Sequence, residues 1–203
     1  MADVVVVGLG AFGSAALWRL AARGVDVVGI ERQGIGHAFG SSHGTTRLFR
    51  VACMEHQGLT AIARKSLALW TELGERTGET FVRQTGSLNV GAPGSRPVEG
   101  AAAAGAQTTD LSHDELHERF PQYKLAAEDV AVWDPDAGIC YAEPTVRAHV
   151  AEAERLGSTV YAHTKVTGIE VRPDGVTVRT PTTSVSAEQV VIATGAWLSK
   201  LVP

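Results

Sequence analysis

Four consecutive valines, Val4 to Val7, run directly into the glycine-rich stretch Gly8-Leu9-Gly10-Ala11-Phe12-Gly13. A β-branched run with no alternation fits a strand buried on both faces of a parallel sheet. Ser14 to Arg23 then reads as a helix stopped at Gly24, and Val25 to Ile30 resumes the strand pattern, so the chain opens on a βαβ unit. Each glycine has a task in such a turn. Gly8 permits the tight bend, Gly10 lets a pyrophosphate approach the backbone, and Gly13 lets helix and strand pack closely. The helix amino terminus then offers unpaired N–H groups and a favourable dipole to the phosphates. Glu31 ends the second strand about 18 residues beyond Gly13, near the spacing of a ribose-binding acid. Such an acid accepts from both ribose hydroxyls and repels a 2′-phosphate, which disfavours NADP. The plain alternative is a glycine-rich turn with a chance acid; the strand–turn–helix context argues against it.

A nicotinamide-binding domain would continue with further βαβ units. This chain instead enters Gly34 to Arg50, a glycine-rich, polar and basic segment without a clear period. Long segments of that kind in compact domains are often functional. The strand pattern returns much later, through Val166 to Arg172 and Val176 to Thr180 joined at Asp174-Gly175, and then Val190-Val191-Ile192-Ala193-Thr194-Gly195. This discontinuous plan resembles flavoproteins of the glutathione-reductase-like group, and FAD is the expected cofactor. An NAD-dependent dehydrogenase is the weaker alternative.

Between these pieces, helical spacing covers about Leu59 to Leu73, with Ile62, Leu67, Leu69 and Trp70 expected to be buried. Residues 81 to 90 read as one or two strands around a turn near Gly86. A short helix is expected around Ala101 to Ala104, and another over Ser112 to Phe120, opened by Ser112 and Glu115 in capping-box spacing. Val130 to Trp133 reads as a strand, Glu143 to Leu156 as a helix, and Val160 to Ala162 as a strand. The expected fold class is α/β: a Rossmann-like FAD-binding domain formed by residues 1–80 and 141–203, with 81–140 as part of an inserted mixed-sheet substrate domain.

The segment Gly40-Ser41-Ser42-His43-Gly44-Thr45-Thr46-Arg47-Leu48-Phe49-Arg50 resembles the monomeric sarcosine oxidase and N-methyltryptophan oxidase family of FAD-dependent amine oxidases. Further matching pieces follow in order: Leu69-Trp70, Thr85-Gly86-Ser87-Leu88, Arg119-Phe120-Pro121, Asp134-Pro135-Asp136-Ala137-Gly138 and Thr194-Gly195-Ala196-Trp197. The resemblance implies that His43 and Arg47 lie near the flavin and that Arg50 helps hold a substrate carboxylate. A guanidinium offers paired donors in the geometry of a carboxylate, and a cation beside the flavin stabilises negative charge on the reduced ring. Arg32, Ser41, Ser42, Val166, Thr194, Gly195 and Trp197 complete the implied cofactor-binding set, with Gly8, Gly10, Ala11, Phe12, Gly13 and Glu31. The plain reading of Arg47 and Arg50 is two solvated arginines. Ser42 stands where the family often has a histidine, Thr45 where an aspartate is frequent and Leu59 where a tyrosine is common, so the substrate stays open.

The implied reaction is oxidation of a secondary amine, an N-methyl or cyclic α-amino acid, to an imine, with oxygen reduced to hydrogen peroxide. Two alternatives stand beside it: a dehydrogenase passing electrons to another acceptor, and a non-catalytic FAD-binding subunit. The family's proteins extend well beyond residue 203, so the sequence reads as an amino-terminal part, inactive alone, whose complement is a missing carboxy-terminal half or another chain. Unpaired strand edges are expected in 81–140. Net charge is −4 with acids and bases interspersed, so no basic stripe points to nucleic acid or a membrane surface. No leader or membrane span is read, and the expected location is cytoplasmic. Cys53 and Cys140 form no CxxC pair and match no flavin-linking context. His113 and His117, four apart among acids, read as a solvated helix face rather than a metal site, and His37 and His56 have no evident partner.

Overall fold

The computed structural model describes residues 1–202. In chain order the elements are β1 (Ala2–Val7), α1 (Ala11–Ala21), β2 (Val27–Ile30), β3 (Arg47–Phe49), α2 (Gly58–Thr77), β4 (Val82–Gln84), β5 (Ser87–Gly91), α3 (Arg96–Ala102) and β6 (Thr109–Leu111). There follow α4 (His113–Arg119), β7 (Val130–Asp134), β8 (Gly138–Cys140), α5 (Ala142–Arg155), β9 (Thr159–Tyr161), β10 (Gly168–Arg172), β11 (Gly175–Arg179), β12 (Ser184–Ile192) and a 3-10 turn (Gly195–Lys200). They form two compact units: Met1–Thr45 with the chain from Tyr141 onward, and Thr46–Cys140.

The first unit is built on a six-stranded mixed sheet in the order β10-β11-β12-β1-β2-β9. β1 lies parallel to both β12 and β2, and Val4 to Val7 are all buried, as an unalternating valine run requires. The expected hairpin forms, with Arg172 opposite Gly175 across the turn. β12 is longer than its apolar stretch because its first half, Ser184 to Ala187, pairs with β11 while the rest continues along β1. α1 starts at Ala11 rather than Ser14, since the end of the glycine loop is itself the first helical turn. Trp18 of α1 stacks on His149 of α5, ring centroids 5.2 Å apart, and Ser14 Oγ lies 3.2 Å from His149 Nδ1. Burial lowers the His149 pKa to about 4, so the ring is neutral at physiological pH.

The second unit carries two three-stranded antiparallel sheets, β3-β8-β4 and β5-β7-β6. The strands flanking Gly86 do not pair with each other: β4 joins β8 and β5 joins β7. Gly86 has φ +73, and a Cβ there would overlap the Trp133 ring at 1.8 Å, so the chain crosses between sheets tightly against that indole. In α2 the buried positions are Thr60, Ala63 and Leu73, while Ile62 is 62% exposed, against expectation. Ile62 lies about 100° around the helix from Ala63, off the stripe that packs on Phe49 and Val51. That packing places α2 in the second unit, whereas the sequence pattern groups residues up to 80 with the first. Asp134, 1% exposed, receives the N–H groups of Val51 (2.9 Å), Ala52 (2.7 Å) and Asp136 (3.2 Å), tying the chain after β3 to β7. The capping box of Ser112 and Glu115 forms in both directions. Among the described residues, no helix is long and apolar enough to cross a membrane.

Candidate functional site

The glycine loop is a close-packed turn. Gly8 has φ +88, and a Cβ there would come within 2.7 Å of the Ala193 carbonyl oxygen. A Cβ on Gly13 would lie 1.8 Å from the Gly8 oxygen, so the loop and α1 exclude any side chain at either position. Above Gly10 only Ser42 Oγ approaches, at 3.3 Å from an added Cβ. The first N–H groups of α1 have no partner within the helix, and no acidic residue stands in its first turn. Ala11 N–H donates to Ser42 Oγ (2.9 Å), a contact from 31 residues along the chain. The Thr194 hydroxyl, which belongs to the turn bordering Gly8, is buried without a hydrogen-bond partner among the described residues. An open backbone face at a helix amino terminus, beside an orphaned buried hydroxyl, fits a bound phosphorylated cofactor.

Glu31 is 5% exposed and anchored by the backbone. Its Oε2 accepts from Leu9 N–H (2.8 Å), inside the glycine loop, and its Oε1 accepts from Gln33 N–H (2.8 Å). His37, for which the sequence suggested no partner, stands with Nε2 3.4 Å from Glu31 Oε1. Its Nδ1 accepts from Phe39 N–H (3.1 Å), so in the neutral ring the proton sits on Nε2, beside the carboxylate. Two of the roughly four acceptor directions of Glu31 are thereby used by backbone N–H groups. His56 is likewise partnered, its Nδ1 accepting from Gly58 N–H (3.0 Å).

The first unit brings Gly8, Gly10, Ala11, Gly13, Glu31, Ser42 and Thr194 together at the carboxyl ends of β1 and β12. Phe12 is 90% exposed on that turn, and Arg32 and Ser41 are also exposed. His43 is exposed with its Nδ1 2.7 Å from the Gly40 oxygen. Trp197 borders the same stretch, its ring 3.9 Å from where a Gly40 Cβ would stand. Gly195 has φ +53 at the start of the 3-10 turn, and Val166 packs against the core beside β1. Arg47 and Arg50 belong to the second unit. Arg47 lies on β3 opposite Cys140, donating to the Thr46 oxygen (2.8 Å). Arg50 Nη2 is 2.6 Å from Glu55 Oε1, and that bond holds the Glu55 carboxyl below its usual pKa. Both cysteines are free, and burial pushes both thiols up in pKa, away from the reactive thiolate. Two residues that hold the stretch from Ile35 to Gly44, Glu143 and Arg147, went unnoticed in the sequence; their signal was an i,i+4 acid–base pair opening a helix.

The chain matches the family described as DAO, FAD dependent oxidoreductase, over residues 3–203. It is 36% identical over 204 residues to monomeric sarcosine oxidase of Streptomyces avermitilis, covering 98% of this chain and 53% of that protein. It is 29% identical to N-methyl-L-tryptophan oxidase of Yersinia pestis, covering 99% and 55%. Among solved structures, the open form of the Tyr258Phe mutant of NikD, an unusual amino acid oxidase essential for nikkomycin biosynthesis, superposes with a TM-score of 0.85 at 28% identity, covering 98% of this chain and 52% of that one. The chain thus spans about half the length of the relatives it matches. A match over residues 3–203, on a fold that carries the strand–glycine turn–helix unit, has one meaning: the chain belongs to the DAO family of FAD-dependent oxidoreductases.

Proposed function

We propose that the protein carrying these residues oxidises a secondary amine, an N-methyl or cyclic α-amino acid, to an imine, and that oxygen takes the electrons to give hydrogen peroxide. The observation that carries the cofactor side of this reading is the turn at Gly8 and Gly13, packed too tightly for any side chain, beside the partnerless Thr194 hydroxyl. FAD, when bound, supplies the two-electron sink for the amine. Gly10, Phe12 and Gly13 would hold its pyrophosphate through backbone N–H groups, with Ala11 beside them on Ser42, and Glu31 would receive the adenosine ribose. Arg32, Ser41, Ser42, His43, Val166, Thr194, Gly195 and Trp197 complete the pocket. His43 offers a hydrogen-bonding group, and Arg47, in its own unit, a positive charge of the kind that stabilises charge on a reduced flavin ring. Arg50 binds the substrate carboxylate through paired donors and so orients the amine-bearing carbon. Its guanidinium is held by Glu55, and the substrate carboxylate competes for it.

The test uses the full-length protein that contains these residues. Sarcosine, N-methyl-L-tryptophan and L-proline are added anaerobically and flavin bleaching is followed, then peroxide is measured in air. Bleaching by at least one of them, with one peroxide per amine, is expected. Retained FAD with no bleaching by any of the three overturns the substrate class. Bleaching without peroxide moves the protein to the dehydrogenase reading, and an absent flavin spectrum removes both.

A further inference from the structure

Residues 34–46 form no helix or strand, so contacts with neighbouring elements decide where this stretch lies. Within the first unit both of its ends are tied to the opening turns of α5. At one end Arg147 donates from Nη1 to the Ile35 oxygen (2.7 Å) and from Nη2 to the Gly36 oxygen (3.3 Å). Gly36 has φ +71, and a Cβ there would meet Arg147 Cζ at 2.9 Å, so the guanidinium sits directly against this backbone. At the other end Gly44 N–H donates to Glu143 Oε1 (2.8 Å). Glu143 and Arg147 are one helical turn apart and paired at 3.3 Å, so each orients the other. Between the two anchors, Ser42 reaches across to the phosphate end of α1 and accepts from Ala11 N–H.

We propose that Glu143 and Arg147 are positioning residues for the cofactor: together they hold the stretch from Ile35 to Gly44 so that Ser42 stays on the Ala11 N–H, and they set FAD affinity without touching FAD. The inference rests on the FAD reading only for its consequence; the strap itself stands on the contacts above. Charge-assisted bonds from a guanidinium to two carbonyls are stronger than neutral ones and specify geometry. Partial exposure of Arg147, 55%, reduces their worth but leaves the anchor points unchanged. Arg155 on the same helix supplies the control. It is 58% exposed and paired bidentately with Glu152, and among the described residues none of its hydrogen bonds or ion pairs reaches the stretch from Ile35 to Gly44.

The test measures amide hydrogen exchange and FAD affinity on the full chain. Arg147→Met and Glu143→Ala should each speed exchange at the Ala11 and Gly44 amides at least about tenfold. They should weaken FAD binding, read by flavin fluorescence quenching, about three- to tenfold. Arg147→Lys should fall between, Glu143→Gln should restore most of the Gly44 protection, and Arg155→Met should change neither readout. In a Ser42→Ala background the effect of Arg147→Met on FAD affinity should shrink below about twofold, because both changes remove the same contact. Unchanged Ala11 exchange in both primary variants overturns the proposal. So do equal effects from Arg155→Met, which would mean general helix loss, and strict additivity with Ser42→Ala. A wild-type chain that holds no FAD would sink the cofactor reading, while the exchange arm still decides whether Glu143 and Arg147 hold Ser42 on Ala11.

Discussion

Acidification should weaken the first unit through His149, and the size of the effect follows from its burial. The ring is 5% exposed, stacked on Trp18 and beside Ser14, and burial lowers its pKa from 6.5 to about 4. Above pH 6.5 the ring is neutral in both folded and unfolded chains, and its contribution is intact. Between pH 6.5 and 4 the unfolded chain binds a proton that the folded one refuses, so stability falls as pH falls. Below about 4 both states are protonated and the loss levels off. A shift of this size corresponds to roughly 3 kcal/mol, a large share of the about 5–15 kcal/mol that holds a typical domain. Urea unfolding at pH 7, 5.5 and 4.5, followed by far-UV circular dichroism, measures it. His149→Phe keeps a ring against Trp18 and cannot titrate. Whatever it costs at pH 7, it should lose about 2–3 kcal/mol less than the wild type on going to pH 4.5. Parallel loss in the two proteins would refute the assignment to His149.

Three other outcomes follow from the same contacts. Gly13→Ala puts a methyl 1.8 Å from the Gly8 oxygen, so the loop must open; the variant should lose FAD binding by at least about tenfold in a fluorescence titration. Asp134→Ala leaves the buried N–H groups of Val51 and Ala52 without their acceptor and should cost about 2–4 kcal/mol in chemical denaturation, with the loss confined to the second unit in hydrogen exchange. Glu55→Gln removes the carboxylate that occupies Arg50, so in the full-length protein KM for a carboxylate-bearing amine should fall about two- to fivefold while kcat stays within about twofold. An unchanged KM would separate Arg50 from substrate binding.

Local signals carried over well. The valine run of β1, the hairpin at Asp174-Gly175 and the Ser112–Glu115 box each depend on neighbours a few residues apart, so residue type and spacing suffice to read them. The ordered motifs likewise placed the chain in its family, because each occupies a short contiguous stretch. The α2 stripe was half legible: periodicity located the helix, but which face is buried depends on what packs against it, and Ile62 lay on the wrong side.

The amino-acid sequence by itself determined the strand–glycine turn–helix unit around Gly8 to Gly13, the residues that form it, and the FAD-dependent family of the chain. Only the tertiary structure decided how the turn is held. Leu9 finds Glu31 from 22 residues away, Ala11 finds Ser42 from 31, Gly44 finds Glu143 from 99 and Arg147 finds Ile35 from 112. In sequence Glu143 and Arg147 are an ordinary charged pair on a helix, and His37 is a lone histidine. Their partners are backbone N–H groups, carbonyls and a carboxylate that any segment can present, so no residue type marks the match. Packing of α5 on α1 and the return of β12 beside β1 bring those groups within hydrogen-bonding reach, and that proximity exists only in the folded chain.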